Sequence, residues 1–195
     1  MDARPLPEVS ALLRLEETDS TQAVARGLAE QGAAHGTVVW ADRQTAGRGR
    51  LSRRWASGPG GLYFSLILRP RFAPARLADL SLAAAQAAAQ ALSSCGITAA
   101  VKPPNDVFGS SGRRSGKICG ILAEARGGAR RVEWLVLGVG INVNNSPRIR
   151  GAVSLKSLTG AARPCEDVLR LFLDRFWPAY RRLNASGSSY NQSSL

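Results

Sequence analysis

Residues 42–55 read Asp-Arg-Gln-Thr-Ala-Gly-Arg-Gly-Arg-Leu-Ser-Arg-Arg-Trp and constrain the rest of the chain more than any other stretch. Five arginines, Arg43, Arg48, Arg50, Arg53 and Arg54, face a single acid, Asp42. Gly47 and Gly49 alternate with Arg48 and Arg50, which opens backbone conformations closed to other residues. Forked guanidinium groups on such a loop suit wrapping around a carboxylate or phosphate. Strand-like Thr37-Val38-Val39-Trp40 precedes the loop and a second strand-like run, Leu62–Leu68, follows it. The loop is therefore expected to be carried on a sheet, where rigid scaffolds concentrate function. The plainer reading of these residues is a solvated basic loop.

A chain of 195 residues with 45% hydrophobic content fits one domain with a sizeable core. A formal net charge of +12 favours acidic partners or polyanionic ligands. Cys95, Cys119 and Cys165 are widely spaced and form no Cys-x-x-Cys pair, so no disulfide framework is expected and a reducing cytoplasm is the simplest location. His35 is the only histidine, which leaves a zinc cluster or a Ser-His-Asp relay poorly supported; it reads as a loop residue before Gly36. No stretch has the length or apolarity of a signal core or a membrane span.

Taken in order, residues 12–15 read as a short first strand, and Thr18-Asp19-Ser20-Thr21 offers capping side chains for a helix reaching about Gln31. Hydroxyls and free N–H groups meet there, which suits either simple capping or a small polar ligand. After the arginine loop, Tyr63 to Leu68 reads as a buried strand. Pro74 then starts a helix over 75–93, and Gly96 stops it. Residues 99–101 form a strand ending in Lys102-Pro103-Pro104-Asn105-Asp106. Residues 109–116 read as a polar hairpin tip, 117–122 as the returning strand, Gly127-Gly128 as a second tip, and 133–143 as a strand with Gly138 and Gly140 inside it. Glycine inside a strand marks a bulge or a close approach to a ligand. Residues 167–177 are an amphipathic helix with Val168, Leu171, Phe172 and Phe176 on one face. The pattern predicts an α+β fold with a mixed, largely antiparallel sheet and helices packed mainly on one face. Residues 1–184 are expected to form the domain, and 185–195, rich in serine, a disordered polar tail.

Familiar nucleotide motifs fail residue by residue. A P-loop would need glycine where Ser111 stands and Ser or Thr where Ile118 stands; a dinucleotide fingerprint would need glycine at Val143. Another pattern fits. Gln44-Thr45-Ala46-Gly47-Arg48-Gly49-Arg50, ending at Trp55, resembles the biotin-binding loop of biotin–protein ligases. Lys102-Pro103-Pro104-Asn105-Asp106 is similar to that family's Lys-Trp-Pro-Asn-Asp. Gly116-Lys117-Ile118-Cys119-Gly120-Ile121-Leu122 resembles its lysine-bearing strand, Gly138-Val139-Gly140-Ile141-Asn142-Val143 its last motif, and Asp19-Ser20-Thr21 its first. Each match alone is weak; five in the family's order over residues 16–145 form a specific set.

The resemblance implies the biotin/lipoyl ligase-like fold and a two-step reaction using biotin, ATP and Mg²⁺. The biotin carboxylate attacks the α-phosphate of ATP, giving biotinyl-AMP and pyrophosphate. A lysine of a biotin carboxyl carrier protein then takes the biotinyl group. It also implies residue roles. Lys117 bridges carboxylate and α-phosphate, and Arg48 and Arg50 close over the intermediate. Ser20, Thr21, Gln44 and Gly47 belong to the biotin side. Asn105 helps hold phosphate and Mg²⁺, Asp106 orients the acceptor amine or takes its proton, and Asn142 matches a nucleotide-contacting position. Trp55 lines the nucleotide side or belongs to the core, and Lys102 contacts phosphate or is solvated. No metal site beyond Mg²⁺ carried with ATP is expected, and a homodimer is allowed.

The chain departs from the pattern at Gln22, where Asn is usual, at Ser52, where Gly is usual, and at Pro103, where Trp is usual. The family's C-terminal β-barrel and N-terminal helix-turn-helix domain are not recognisable, so a repressor role is not expected. The rival on the same scaffold is a lipoate or octanoate transferase. From other classes, a basic nucleic-acid-binding module lacks any zinc-finger or RNA-recognition signature, so nucleic acid is not expected as a partner, and a non-catalytic biotin binder stays open.

Overall fold

A computed structural model describes residues 5–51 and 53–186. Ser52 and most of the expected polar tail, residues 187–195, lie outside the described residues.

Seven strands form one sheet: β1 (Ala11–Thr18), β2 (Thr37–Gln44), β3 (Leu62–Leu68), β4 (Thr98–Lys102), β5 (Asp106–Ser111), β6 (Arg114–Gly127) and β7 (Val132–Ile141). Their spatial order is β1-β2-β3-β7-β6-β5-β4. Only the β1–β2 pair is parallel; the other neighbours are antiparallel. Four helices complete the fold: α1 (Thr21–Glu30), α2 (Leu77–Ser93), α3 (Leu155–Thr159) and α4 (Cys165–Ser186). The predicted mixed, largely antiparallel sheet is what the chain adopts.

The central strand β3 shows why the two faces differ. Leu62, Phe64, Leu66 and Leu68 point into the larger core with α2 and α4, whereas Ile67 joins a smaller cluster with Ala25 and Ala29 of α1. With both faces covered, the strand reads as a nearly unbroken apolar run. Ser65 is the exception, a fully buried hydroxyl on the α1 side. Helices α2, α3 and α4 lie on one face and α1 alone on the other, so the helices do sit mainly on one side.

Helix α2 buries a run of alanines, including Ala84, Ala88 and Ala91. Alanine favours helix and keeps the surface shallow, so α4 can pack close with large side chains. Phe172 of α4 meets Phe64 edge-on with centroids 5.4 Å apart and stacks on Phe176 at the same 5.4 Å separation. Helix α4 starts and ends beyond the predicted 167–177, because the apolar spacing continues through Trp177 and Tyr180 past Pro178. It takes in Ala185 and Ser186, which had been expected to begin the tail.

One connection is tighter than the sequence predicts. Gly109 and Gly116, expected at a hairpin tip, pair with each other across β5 and β6; the turn is Gly112-Arg113, with Gly112 at φ 56°. His35 is more than a loop residue. Its Nδ1 accepts the Arg69 N–H at 3.1 Å and its ring stacks on Tyr180. Burial lowers its pKa from the ordinary value.

Replacing Phe172 with Ala is expected to lower the unfolding free energy by about 3–5 kcal/mol. Urea denaturation should show a lower midpoint at unchanged slope.

Candidate active site

Helix α1 contacts β2, β3 and β7. The adjoining part of the same face, over β7, β6 and β5, forms the floor of a cleft of about 330 Å³. The arginine loop lies across it.

The deep end of the cleft is polar. Ser20 sits at the N-cap of α1 but its side chain makes no capping hydrogen bond, so the simple capping reading fails. Its hydroxyl is buried and without a partner, a costly state unless something is to be bound there. Thr21 donates its backbone N–H to Gln44 Oε1 at 2.9 Å, and its hydroxyl meets Ser65 Oγ at 3.0 Å. Gln44 Nε2 donates to Ser57 Oγ at 2.7 Å, which ties the start of the loop to its end. Gln22 extends beneath this group and donates to the Val136 carbonyl at 3.1 Å.

Trp55 forms one wall. Its indole lies on Gly120 of β6 and Gly140 of β7, which are directly paired across the sheet. A Cβ at Gly140 would come within 2.5 Å of Trp55 Nε1, and one at Gly120 within 3.0 Å of the ring. These positions require glycine because an aromatic ring occupies the space a side chain would fill. The indole N–H is buried without a partner. Trp55 also lines a second, smaller cleft of about 170 Å³ with Arg54, Asn142, Ile149 and Arg150. It therefore belongs neither to the core nor to one cleft alone.

The charged end is assembled by a β-bulge. Lys117 pairs with Phe108 and Cys119 with Val107, so Ile118 is the extra residue in β6. Ile118 and Cys119 both enter the core, which leaves Lys117 and Gly120 on the cleft face. Burial, with a smaller contribution from Asp106, pushes the Cys119 thiol pKa up, which suits a packing role. Lys117 Nζ lies 2.7 Å from Asp106 Oδ1 and 5.4 Å from the centre of the Trp55 ring, and it lines both clefts. Arg50 Nη1 donates to Asn105 Oδ1 at 2.9 Å, and Arg48 lies 3.9 Å from Glu124. The Pro103–Pro104 bond is cis and leads into Asn105, whose Nδ2 donates to the Ile121 carbonyl at 2.8 Å.

Of the residues singled out from sequence, Ser20, Thr21, Gln44, Arg48, Arg50, Trp55, Asn105, Asp106 and Lys117 line the larger cleft. Two do not. Gly47 forms the neck of the loop: its carbonyl accepts the Trp55 N–H at 2.9 Å, and a Cβ there would strike the Trp55 carbonyl. Asn142 lines the smaller cleft, with its amide bonded to the Val153 carbonyl and to Asn145. Lys102 stands at the cleft edge over the Phe108 ring. Sequence reasoning missed Ser65 and Ser57. Ser65 left a trace, a hydroxyl inside an apolar strand; Ser57 left none. Among the described residues no cluster of three or more His, Cys, Asp or Glu side chains is placed to hold a metal ion.

The sequence profile of the biotin/lipoate A/B protein ligase family matches residues 15–142. The chain is 45% identical over 130 residues to the bifunctional ligase/repressor BirA of Bacillus subtilis, covering 66% of this chain and 39% of that protein. It is 37% identical over 186 residues to the biotin–[acetyl-CoA-carboxylase] ligase of Paracoccus denitrificans, covering 90% and 74% respectively. Among solved structures it resembles the biotin protein ligase of Aquifex aeolicus in complex with biotin and ATP, with a TM-score of 0.76 and 35% identity over 91% of this chain and 73% of that one. The chain thus spans about two fifths of the length of the Bacillus relative. On the extent of the profile match, this chain belongs to the biotin/lipoate A/B protein ligase family.

Proposed function

We propose that the chain is an ATP-dependent biotin–protein ligase, forming biotinyl-5'-AMP and then an amide to a lysine of a biotin carboxyl carrier protein. One observation carries the proposal: Lys117 stands at the junction of two clefts, one with a polar inner end and one on the far side of Trp55. Biotin fits the first, with its ring among Ser20, Thr21 and Gln44 and its carboxylate reaching Lys117. The nucleotide fits the second, along Trp55 and Asn142. The reacting groups then meet at the lysine.

The chemistry requires cations there. Two unit negative charges about 4 Å apart repel by roughly 4 kcal/mol at an effective dielectric near 20. Lys117, Arg48 and Arg50 offset that repulsion as a carboxylate oxygen attacks the α-phosphorus and the bond to pyrophosphate breaks. In the second step the acceptor amine attacks the acyl carbon, AMP leaves with the bonding electrons, and the amine loses a proton. Asp106 is the carboxylate at hand to orient that amine and take the proton. The loop must also exclude water, because a mixed anhydride hydrolyses. Mg²⁺ arrives with ATP, as is usual for a cation that keeps much of its own water. Asn105 can meet it once its Oδ1 is released by Arg50.

A dithiolane ring offers no hydrogen-bonding groups to the polar inner end, which favours biotin over lipoate. Three free thiols suit a reducing cytoplasm. No helix among the described residues is long and apolar enough to cross a membrane. A homodimer is compatible with this reading and is not required by it.

The direct test is incubation with biotin, Mg-ATP and a carrier domain, read by intact mass; a carrier that gains no biotinyl group sinks the proposal. Lys117→Ala should reduce biotin-dependent ATP–pyrophosphate exchange by roughly a hundredfold or more while the thermal melt stays put. Arg50→Gly should release biotinyl-AMP into solution faster than the parent, followed by chromatography of the free nucleotide. Gly140→Ala should displace Trp55, seen as a shift in its fluorescence together with weaker ATP binding.

A further inference from the structure

The hydroxyl of Thr21 has its hydrogen-bond direction set by residues behind it. Gln22 is 3% exposed and seated against Gly138, where a Cβ would come within 2.4 Å of Gln22 Oε1. The Val136 carbonyl can only accept, so Gln22 Nε2 is the donor at 3.1 Å and Oε1 is left facing Ser65. That oxygen can only accept in turn, so the Ser65 hydroxyl donates to it at 3.1 Å. Ser65 has one hydrogen, and this contact uses it. Its oxygen therefore meets Thr21 Oγ1 at 3.0 Å as an acceptor.

The other side is fixed in the same way. The Thr21 N–H can only donate, so the atom it meets at 2.9 Å is Gln44 Oε1, which also lies 3.1 Å from Thr21 Oγ1. Both partners of the Thr21 hydroxyl are acceptors, so its one hydrogen is taken up between them. Its hydrogen points inward and its lone pairs face the cleft.

We infer that Gln22 is a positioning residue that holds the Ser65 hydrogen away from Thr21, leaves Thr21 a hydrogen-bond acceptor and so selects a ligand ring carrying N–H donors. This rests on the biotin reading of the cleft and names what in the protein enforces it. A cyclic urea presents two N–H groups beside one carbonyl. Thr21 takes a ring N–H, and the unpartnered Ser20 hydroxyl is free to serve the carbonyl. Without Gln22 the Ser65 hydrogen turns to Thr21 and occupies a lone pair the ligand would use.

The test compares two ligands on three proteins by isothermal titration calorimetry. The ligands are biotin and its cyclic-carbonate analogue, in which oxygen replaces both ring N–H groups. The proteins are the unaltered chain, Ser65→Ala and Gln22→Leu, each checked by thermal melt. The expected result is biotin binding weakened about tenfold in Gln22→Leu with binding of the carbonate unchanged, so that the preference shrinks there, and an unchanged preference in Ser65→Ala, where Gln44 Oε1 still holds the Thr21 hydrogen and no second hydroxyl can donate to it. General loosening of the pocket weakens both ligands alike and overturns the inference. Unchanged preference in a folded Gln22→Leu protein, or a lost preference in a folded Ser65→Ala protein, also overturns it. An unaltered chain that binds no biotin removes the functional reading as well. An unaltered chain that binds biotin beside a Gln22→Leu protein of unchanged preference removes only the relay.

Discussion

The contact of Trp55 with the Gly120–Gly140 pair organises both clefts. A sheet face normally presents side chains from every second residue of each strand. Here Gly120, Gly138 and Gly140 leave a strip of backbone on neighbouring strands, and two side chains from elsewhere lie on it. Trp55 comes from the arginine loop and Gln22 from α1. Glycine in a strand weakens it. The indole recovers apolar burial at that point, and the backbone N–H of Trp55 donates to the Gly47 carbonyl across the loop neck. Together with the bond of Gln44 to Ser57, this closes the neck from which the arginines project.

This arrangement gives the larger cleft a direction. Its inner end offers neutral hydrogen-bonding groups, and its outer end offers cations. A ligand that is polar but uncharged at one tip and acidic at the other can satisfy both ends in only one orientation. Biotin has that distribution, with a ureido ring, an apolar middle and a carboxylate. The proposed chemistry then occurs where the second cleft opens beside Lys117, so orientation and reactivity follow from the same geometry.

The sequence disclosed the parts of this site better than their assembly. The continuous apolar run Leu62–Leu68 identified a strand covered on both faces, and Gly138 and Gly140 marked a close approach. Both signals depend on a residue's own shape. The bulge in β6 was not legible. Simple alternation would put Lys117 and Gly120 on opposite faces, and only the extra residue Ile118 brings them together. The parallel pairing of β1 with β2 and the bonds of Ser65 to Gln22 and Thr21 join segments far apart in the chain, and no local pattern encodes them. The family resemblance located the motifs and implied a place for Gly47 beside the ligand; the contact the backbone itself shows for it is at the loop neck. Glycine's lack of a side chain serves either purpose, and the choice is made by what the backbone meets.

The cations of the cleft are not bare. Lys117 holds Asp106, Arg48 leans toward Glu124, and Arg50 holds the Asn105 carbonyl. Every one of these groups keeps substantial exposure, and ion pairs in such settings contribute little, typically about 0–1 kcal/mol. They are strong enough to keep the side chains near the cleft and weak enough to be exchanged for a better anion. A carboxylate or phosphate that excludes water raises the strength of each contact it makes. The exchange of protein partners for ligand oxygens thus becomes favourable once a ligand displaces the water. The released Asp106 and Asn105 are then free at the place where, in the proposed reaction, an acceptor amine and a phosphate-bound cation need them.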